Sequence, residues 1–267
     1  MNDSTFDAAS TALAAARRDA RAIESWPEER VPRDLAEAYR LQAAVTRELG
    51  AIGGWKVAAV TAAQRESLGV EIAIGAPLLQ PWMHDVRRQG VELRITDFIA
   101  AKLECEFAFE LRHDLAPRPG QPYTRKEVAD AVLAMRIAVE IVDSRLPRGL
   151  GTLAELSDGF NNGAFIAGPR IHAWHGLDFT ALAIVLARVE GGASTEIARG
   201  SGAAILDGDP FGTVVQLANA PPASARGLVA GDIVTTGSCT GAPRLPGAGA
   251  YRADFGALGS VEFRFAA

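Results

Sequence analysis

Cysteine is scarce in this chain: Cys105 and Cys239 are the only two among 267 residues. Two are too few for a disulfide framework, and Cys105 stands in an apolar alternation where a small core side chain suffices. Positive charge is short as well. The formal net charge is −5, whereas a nucleic-acid binder needs a basic face to meet phosphate, so no nucleic-acid partner is expected. No apolar run approaches the ~18 residues of a membrane span, so no membrane partner is expected either. The N-terminal stretch carries Asp3 and Asp7 in place of the basic start and apolar core of a secretory signal, and Arg17-Arg18 reads as the solvated face of an Ala-rich helix. Linkers, low-complexity tracts and internal repeats are missing. So are a Gly-x-Ser-x-Gly elbow, a phosphate-binding loop and a Gly-x-Gly-x-x-Gly turn. With 48% hydrophobic and 22% charged residues, what remains is a cytoplasmic enzyme or binding protein, long enough for one large domain or two small ones.

The texture of the chain changes along its length. Asp7–Ser25 is Ala- and Arg-rich and predicts a helix. Pro32-Arg33-Asp34 opens a second helix over Leu35–Leu49, closed by Gly50. After Gly53-Gly54, Trp55–Val60 predicts a short strand carrying Lys56, Ala62–Leu68 a short helix, and Gly75–Trp82 a loop. From Val91 the pattern is mainly strands. A helix is expected at Arg125–Arg136 and a second at Phe179–Ala187, with later strands at Arg188–Glu190, Ile233–Thr236 and Ser260–Phe265. The 27 glycines and 14 prolines are spread through the strand-rich part, as many turns require. The expected class is α+β. Residues 1–75 form a helical N-terminal portion with the lysine strand, and 76–267 a β-rich catalytic core, the two making one integrated unit.

Candidate chemistry lies in two strands. LECEFAFEL, Leu103–Leu111, alternates strictly. Leu103, Cys105, Phe107, Phe109 and Leu111 share one face; Glu104, Glu106, Ala108 and Glu110 share the other, where neighbouring carboxylates stand about 7 Å apart. Glu110, at the strand end, is expected to meet water. AVEIVDSR, Ala138–Arg145, sets Glu140 in a β-branched run. Carboxylates in core strands are costly unless a positive charge compensates, and a divalent cation would do so, three carboxylates suiting Mg²⁺ or Mn²⁺. On spacing alone a Glu-x-Glu is a weak signal and fits a solvated polar face better than a metal site. Lys56 is either a snorkelling side chain or a lysine of lowered pKa that moves protons or holds an anion. Asp143-x-Arg145 fits a structural ion pair. Asp158 with Asn161, Asn162 and Gly163 fits a turn. His172 and His175 flank Trp174 at a spacing unsuited to a zinc helix, and read as surface residues.

Three of these segments, GWKVAAVT (Gly54–Thr61), ECEFAFEL (Glu104–Leu111) and AVEIVDSR (Ala138–Arg145), resemble the 2-keto-4-pentenoate hydratase family. That family takes in 2-oxohept-3-ene-1,7-dioate hydratases and 4-oxalocrotonate decarboxylases within the fumarylacetoacetate hydrolase superfamily. GDPFGTVVQLAN (Gly208–Asn219), GLVAGDIVTTGSCTG (Gly227–Gly241) and RADFGALGSVEFRF (Arg252–Phe265) extend the likeness, in order, over nearly the whole chain. The resemblance implies a mixed β-roll core behind a helical N-terminal portion, a Mg²⁺ or Mn²⁺ cofactor and a homo-oligomer. It places the metal glutamates on Glu104, Glu106 and Glu140, the active-site lysine on Lys56 and a catalytic aspartate on Asp158. Three departures fall near the substrate. LGVEIAIG (Leu68–Gly75) lacks the family's second Asp and leaves Glu71 as the nearest acid. DGFNNG (Asp158–Gly163) puts Asn161 and Asn162 where the family has a serine pair. KVAAVT loses a glycine and shifts a hydroxyl. Glu71, Asn161 and Asn162 are therefore the candidate substrate contacts beside Lys56.

A 2-oxo acid suits this site. Its carboxylate and 2-oxo oxygens can chelate an ion that stabilises the enolate formed on ketonisation or C–C cleavage. The expected activity is a metal-dependent lyase, a hydratase of 2-hydroxydienoate or 2-oxo-enoate acids from aromatic catabolism. A 2-oxo-enedioate decarboxylase, an acylpyruvate C–C hydrolase and a non-catalytic binding protein are the alternatives, in that order.

Overall fold

The computed structural model describes residues 1–58, 65–66, 69–71, 74–86, 90–220 and 226–267. Helix α1 (Asp3–Arg18) starts earlier than its composition predicts, because the Asn2 side chain accepts the Thr5 N–H as a cap. It stops short of Ser25 where Ala20 turns left-handed, at φ 49°. Helix α2 (Leu35–Leu49) has the expected bounds, with Asp34 capping the Glu37 N–H and Gly50 closing it at φ 141°. The helix expected at Ala62–Leu68 falls mostly outside the described residues.

The strands follow as β1 (Ile52–Ala58), β2 (Ile74–Leu79), β3 (Met83–Asp85), β4 (Val91–Arg94) and β5 (Lys102–Leu111). Helix α3 (Arg125–Asp130) precedes β6 (Val132–Val142), and α4 (Thr152–Ser157) precedes β7 (Asn162–Ile171), β8 (Ile184–Glu190) and β9 (Ala193–Gly200). Helix α5 (Pro210–Asn219) leads to β10 (Ile233–Ser238), β11 (Gly249–Asp254) and β12 (Ser260–Ala266). Seven strands form one sheet in the order β2-β1-β10-β5-β6-β7-β3; the others form a second, β4-β12-β11-β8-β9. Both sheets are mixed: β1 runs parallel to β10, β3 to β7 and β4 to β12, while the remaining neighbours are antiparallel. Among the described residues no helix is long and apolar enough to cross a membrane.

Three expected elements differ. Gly75–Trp82 is no loop: β2 is a buried edge strand, and its Pro77 is tolerated because an edge leaves one side of the ladder unpaired. The helix expected over Arg125–Arg136 ends at Asp130, closed after a Thr124/Glu127 capping box. From Val132 the chain pairs with β5 on one side and β7 on the other, so tertiary pairing overrides the helix-forming Leu133, Ala134 and Met135. Phe179–Ala187 holds turns and then the start of β8. Two short helices, α4 and α5, are absent from the expectation, although Asp209-Pro210 is a helix start signal: Asp209 accepts the Gly212 N–H and Pro210 takes the first turn.

The two sheets pack face to face. Leu103, Cys105, Phe107, Phe109, Ile137 and Val139 from one meet Leu186, Tyr251, Val261 and Phe263 from the other in one core. Phe107 and Phe109 make edge contacts with Phe179, Phe255, Trp174 and Phe211. At one end of the opposite face of the large sheet lie α1, α2 and α4. These helices bury Leu13, Leu41, Val45 and Ala154 among themselves, and Tyr39 packs with Ile74 and Leu156.

Candidate metal centre

Strand register brings the glutamates together. Glu104 lies directly opposite Glu140 in the β5–β6 ladder, and Glu106 follows two residues along the same face. One carboxylate oxygen from each of the three lies within 4.8 Å of the others. Glu106 and Glu140 are 1% and 0% exposed, which removes the solvated-face alternative for this pair. Glu106 Oε2 accepts the Gly237 N–H at 2.9 Å. Lys56, from β1, is buried on the same side. Its Nζ stands 2.7 Å from Glu140 Oε1 and donates to the Phe160 carbonyl oxygen at 3.1 Å. Glu140 Oε1 also accepts from Asn162 Nδ2 at 3.0 Å. Glu140 Oε2 is buried with no hydrogen-bond partner.

The electrostatics follow from burying three carboxylates beside one ammonium. Burial pushes the Glu104 carboxyl up to about 7, with Lys56 pulling against it and Glu140 adding to the rise. Burial, then Glu140 and Glu104, hold Glu106 well above the usual range. Lys56 is drawn down by burial, but Glu140 and Glu104 outweigh that and leave it above an ordinary lysine. A lowered lysine pKa is therefore not what this geometry produces: the carboxylates keep the ammonium charged. The donor set fits a hard divalent cation. It is all oxygen, and it presents an unsatisfied buried oxygen, Glu140 Oε2.

The other candidates are dispersed around this cluster. Asn162 touches it directly, as above. Asn161 and the preceding Phe160 are left-handed, at φ 60° and 52°, a conformation asparagine tolerates better than most residues. The Asn161 side chain faces Glu155, whose carboxyl is raised by burial with Asn161 pulling against the rise, and its Oδ1 is buried with no partner. Asp158 stands behind the cluster, wholly engaged by Arg145: Nη2–Oδ2 is 2.9 Å and Nε–Oδ1 3.2 Å. Burial raises its carboxyl despite that partner. Arg145 is thus paired with Asp158 and not, as its sequence neighbour suggests, with the Asp143 carboxylate, which caps the Ile99 and Ala100 N–H groups. Glu71 is exposed and is not one of the carboxylates that converge. His172 and His175 are exposed, as expected.

Arg17 overturns its sequence reading. Only 9% exposed, it is no solvated side chain: burial, then Arg145, pulls its guanidinium down to about 9. The signal was present in the spacing. Ala9, Leu13 and Arg17 are buried at four-residue intervals along α1, so Arg17 continues the inward stripe. Glu110 is corrected too. It is largely buried and accepts from Arg136 Nε and Arg170 Nε, each at 2.8 Å, and these bonds outweigh burial to lower its pKa. Arg136 also reaches Asp85 at 3.1 Å. This second charged group lies on the same sheet face as the three glutamates. Leu78, Ala108, Ala138, Phe165, Ala167 and Ile233 form an apolar band on that face.

No family model matches the chain. A 2-keto-4-pentenoate hydratase of Dechloromonas aromatica (strain RCB) is 29% identical over 276 residues, 97% of either chain. Among solved structures, 4-oxalocrotonate decarboxylase from Pseudomonas putida G7, complexed with magnesium and adipate, superposes with a TM-score of 0.84 at 23% identity, covering 100% of this chain and 99% of that one. A fumarylacetoacetate hydrolase family protein from Yersinia pestis CO92 superposes with a TM-score of 0.55 at 17% identity, over 79% of this chain and 92% of that one. The chain is thus similar in sequence to the 2-keto-4-pentenoate hydratases and shares its fold with a 4-oxalocrotonate decarboxylase and a fumarylacetoacetate hydrolase family protein.

Proposed function

We propose that the chain is a divalent-metal-dependent hydratase of 2-hydroxydienoate or 2-oxo-enoate acids from aromatic catabolism, using Mg²⁺ or Mn²⁺ held by Glu104, Glu106 and Glu140. The observation that carries this reading is the convergence of three carboxylates, two of them buried and one of those with an unsatisfied oxygen, beside a buried lysine. When bound, the ion would polarise the 2-oxo group and stabilise negative charge on its oxygen. The protein's own part falls first to Lys56. An ammonium has three N–H donors; Glu140 and Phe160 take two, and the third remains for the substrate. Nζ, kept charged by the carboxylates, holds the substrate carboxylate or hands over the proton that ketonisation of the dienol requires. Asn161 and Asn162 are further proposed as substrate contacts, Asn162 from beside Glu140. Asp158, with both oxygens on Arg145, holds the 158–163 turn in place.

The similarity of sequence to hydratases over 97% of the chain favours hydration over decarboxylation. The test is the ultraviolet absorbance of 2-hydroxypenta-2,4-dienoate with the protein before and after chelation, alongside CO₂ release from 2-oxohexenedioate. Mg²⁺-dependent loss of the chromophore without CO₂ is the expected result. CO₂ release makes the chain a decarboxylase, and pyruvate release from an acylpyruvate a hydrolase. The enzyme is further proposed to work in the cytoplasm as a homo-oligomer. Two buried free thiols, Cys105 and Cys239, agree with a reducing compartment, and self-association is what the family resemblance implies. Sedimentation velocity checks the latter.

A further inference from the structure

Arg17 stands in the last turn of helix α1, far along the chain from Glu104, Glu106 and Glu140, yet its side chain leads to the cluster. Its Nη2 donates to Asn162 Oδ1 at 3.2 Å and to the Gly163 carbonyl oxygen at 2.6 Å, and the guanidinium lies over Trp82, 4.6 Å from the ring centre. Asn162 carries the connection onward through Nδ2 to Glu140 Oε1, at 3.0 Å. An amide can bridge in this way because its oxygen accepts while its nitrogen donates. Arg17, a pure donor, therefore decides which end of the amide faces Glu140. The Asn162 backbone is held as well. Its carbonyl oxygen accepts from Arg145 Nη1 at 2.9 Å, and Gly163 lies so near β6 that a Cβ there would come within 2.6 Å of the Ile141 oxygen.

The result at Glu140 is asymmetric. Oε1 takes two protein donors, Lys56 and Asn162, and Oε2 takes none. We propose that Arg17 and Asn162 are positioning residues for the metal: the Arg17–Asn162 bridge locks the Glu140 carboxylate so that Oε2 is the single oxygen it offers to the ion. This rests on the metal reading above and deepens it, since it makes α1, which supplies no ligand, part of the ion's support. Side chains that orient ligands in this way change metal affinity when removed.

The experiment measures Mn²⁺ binding by electron paramagnetic resonance for the wild type, Asn162→Ala, Arg17→Lys and the double variant, with the melting temperature of each metal-free protein taken in parallel. A wild type that binds no Mn²⁺ overturns the metal reading itself. With Mn²⁺ bound by the wild type, Asn162→Ala is expected to lose about 10-fold in affinity and to alter the zero-field splitting of the bound ion. Arg17→Lys should lose less, and the double variant no more than Asn162→Ala alone. Unchanged affinity and spectrum in a folded single variant, or losses that add in the double, overturn the proposal, because a residue that only supports the fold would lower melting temperature and leave the bound spectrum alone. If Asn162→Ala does not fold, Asn162→Asp keeps the shape and the acceptor for Arg17 while removing the donor to Glu140. An unaltered bound spectrum there overturns the proposal equally.

Discussion

Each glutamate of the cluster is expensive to bury beside the others, and that expense gives the residue-scale predictions. Glu106→Gln should abolish Mg²⁺-dependent turnover while raising the melting temperature of the metal-free protein, because a neutral amide removes the cost of burying a carboxyl that must take up a proton on folding. Full activity in that variant contradicts the ligand role. Lys56→Ala should cut kcat by about 10²-fold, the range for a lost proton-transfer group, and an unchanged rate would reduce Lys56 to packing. Acidity supplies a third prediction. In the metal-free protein Glu104 keeps its proton up to about 7, whereas an ordinary glutamate releases it near 4.5. Between those values the folded form binds more protons than the unfolded one, so stability falls as pH rises through that window. Denaturant midpoints of chelated protein at pH 5 and pH 7.5 check the sign. The three glutamates and Lys56 were legible in the sequence because charged residues in apolar alternation stand out. The inward stripe of Arg17 and the candidacy of Asn162 were legible too, but their connection to each other was not, since it spans 145 residues.

Elements deliver these residues through close backbone approaches. Gly54 lets β1 lie against β10: a Cβ there would run into the Ile233 carbonyl oxygen. Gly54→Ala should therefore cost about 1–3 kcal/mol, as overpacking does, and should shift Lys56 two residues away. A chemical-denaturation midpoint together with kcat reads both effects, and a neutral result would mean that the strands can part without penalty. Strand β5 was readable because its alternation is strict over Lys102–Leu111. Strand β6 was half hidden, since it is buried on both faces and its first residues favour helix when taken alone. Pro77 hid β2 by imitating a loop, and only the sheet order shows that it occupies an edge. The N-terminal boundary of α1 turned on a single cap, Asn2, which composition does not weigh.

The molecule as a whole places two charged groups on one sheet face. The glutamate cluster sits at the helical end, and Glu110, Arg136, Asp85 and Arg170 gather further along the same strands. Arg136→Leu should destabilise the protein by about 3–5 kcal/mol, the cost of stranding buried partners, while Mn²⁺ affinity stays within about twofold, since sites without shared partners behave additively. A parallel loss of affinity would show that the two ends communicate. The α+β class and the family were legible from motif order, but the sheet order was not, because parallel pairings such as β1 with β10 join segments far apart in sequence. Ala108 and Ala138 stand between the two groups along β5 and β6, and among the described residues the groups share no hydrogen-bond partner. Sequence change at the arginine end is thereby free to proceed without retuning the grip on the ion.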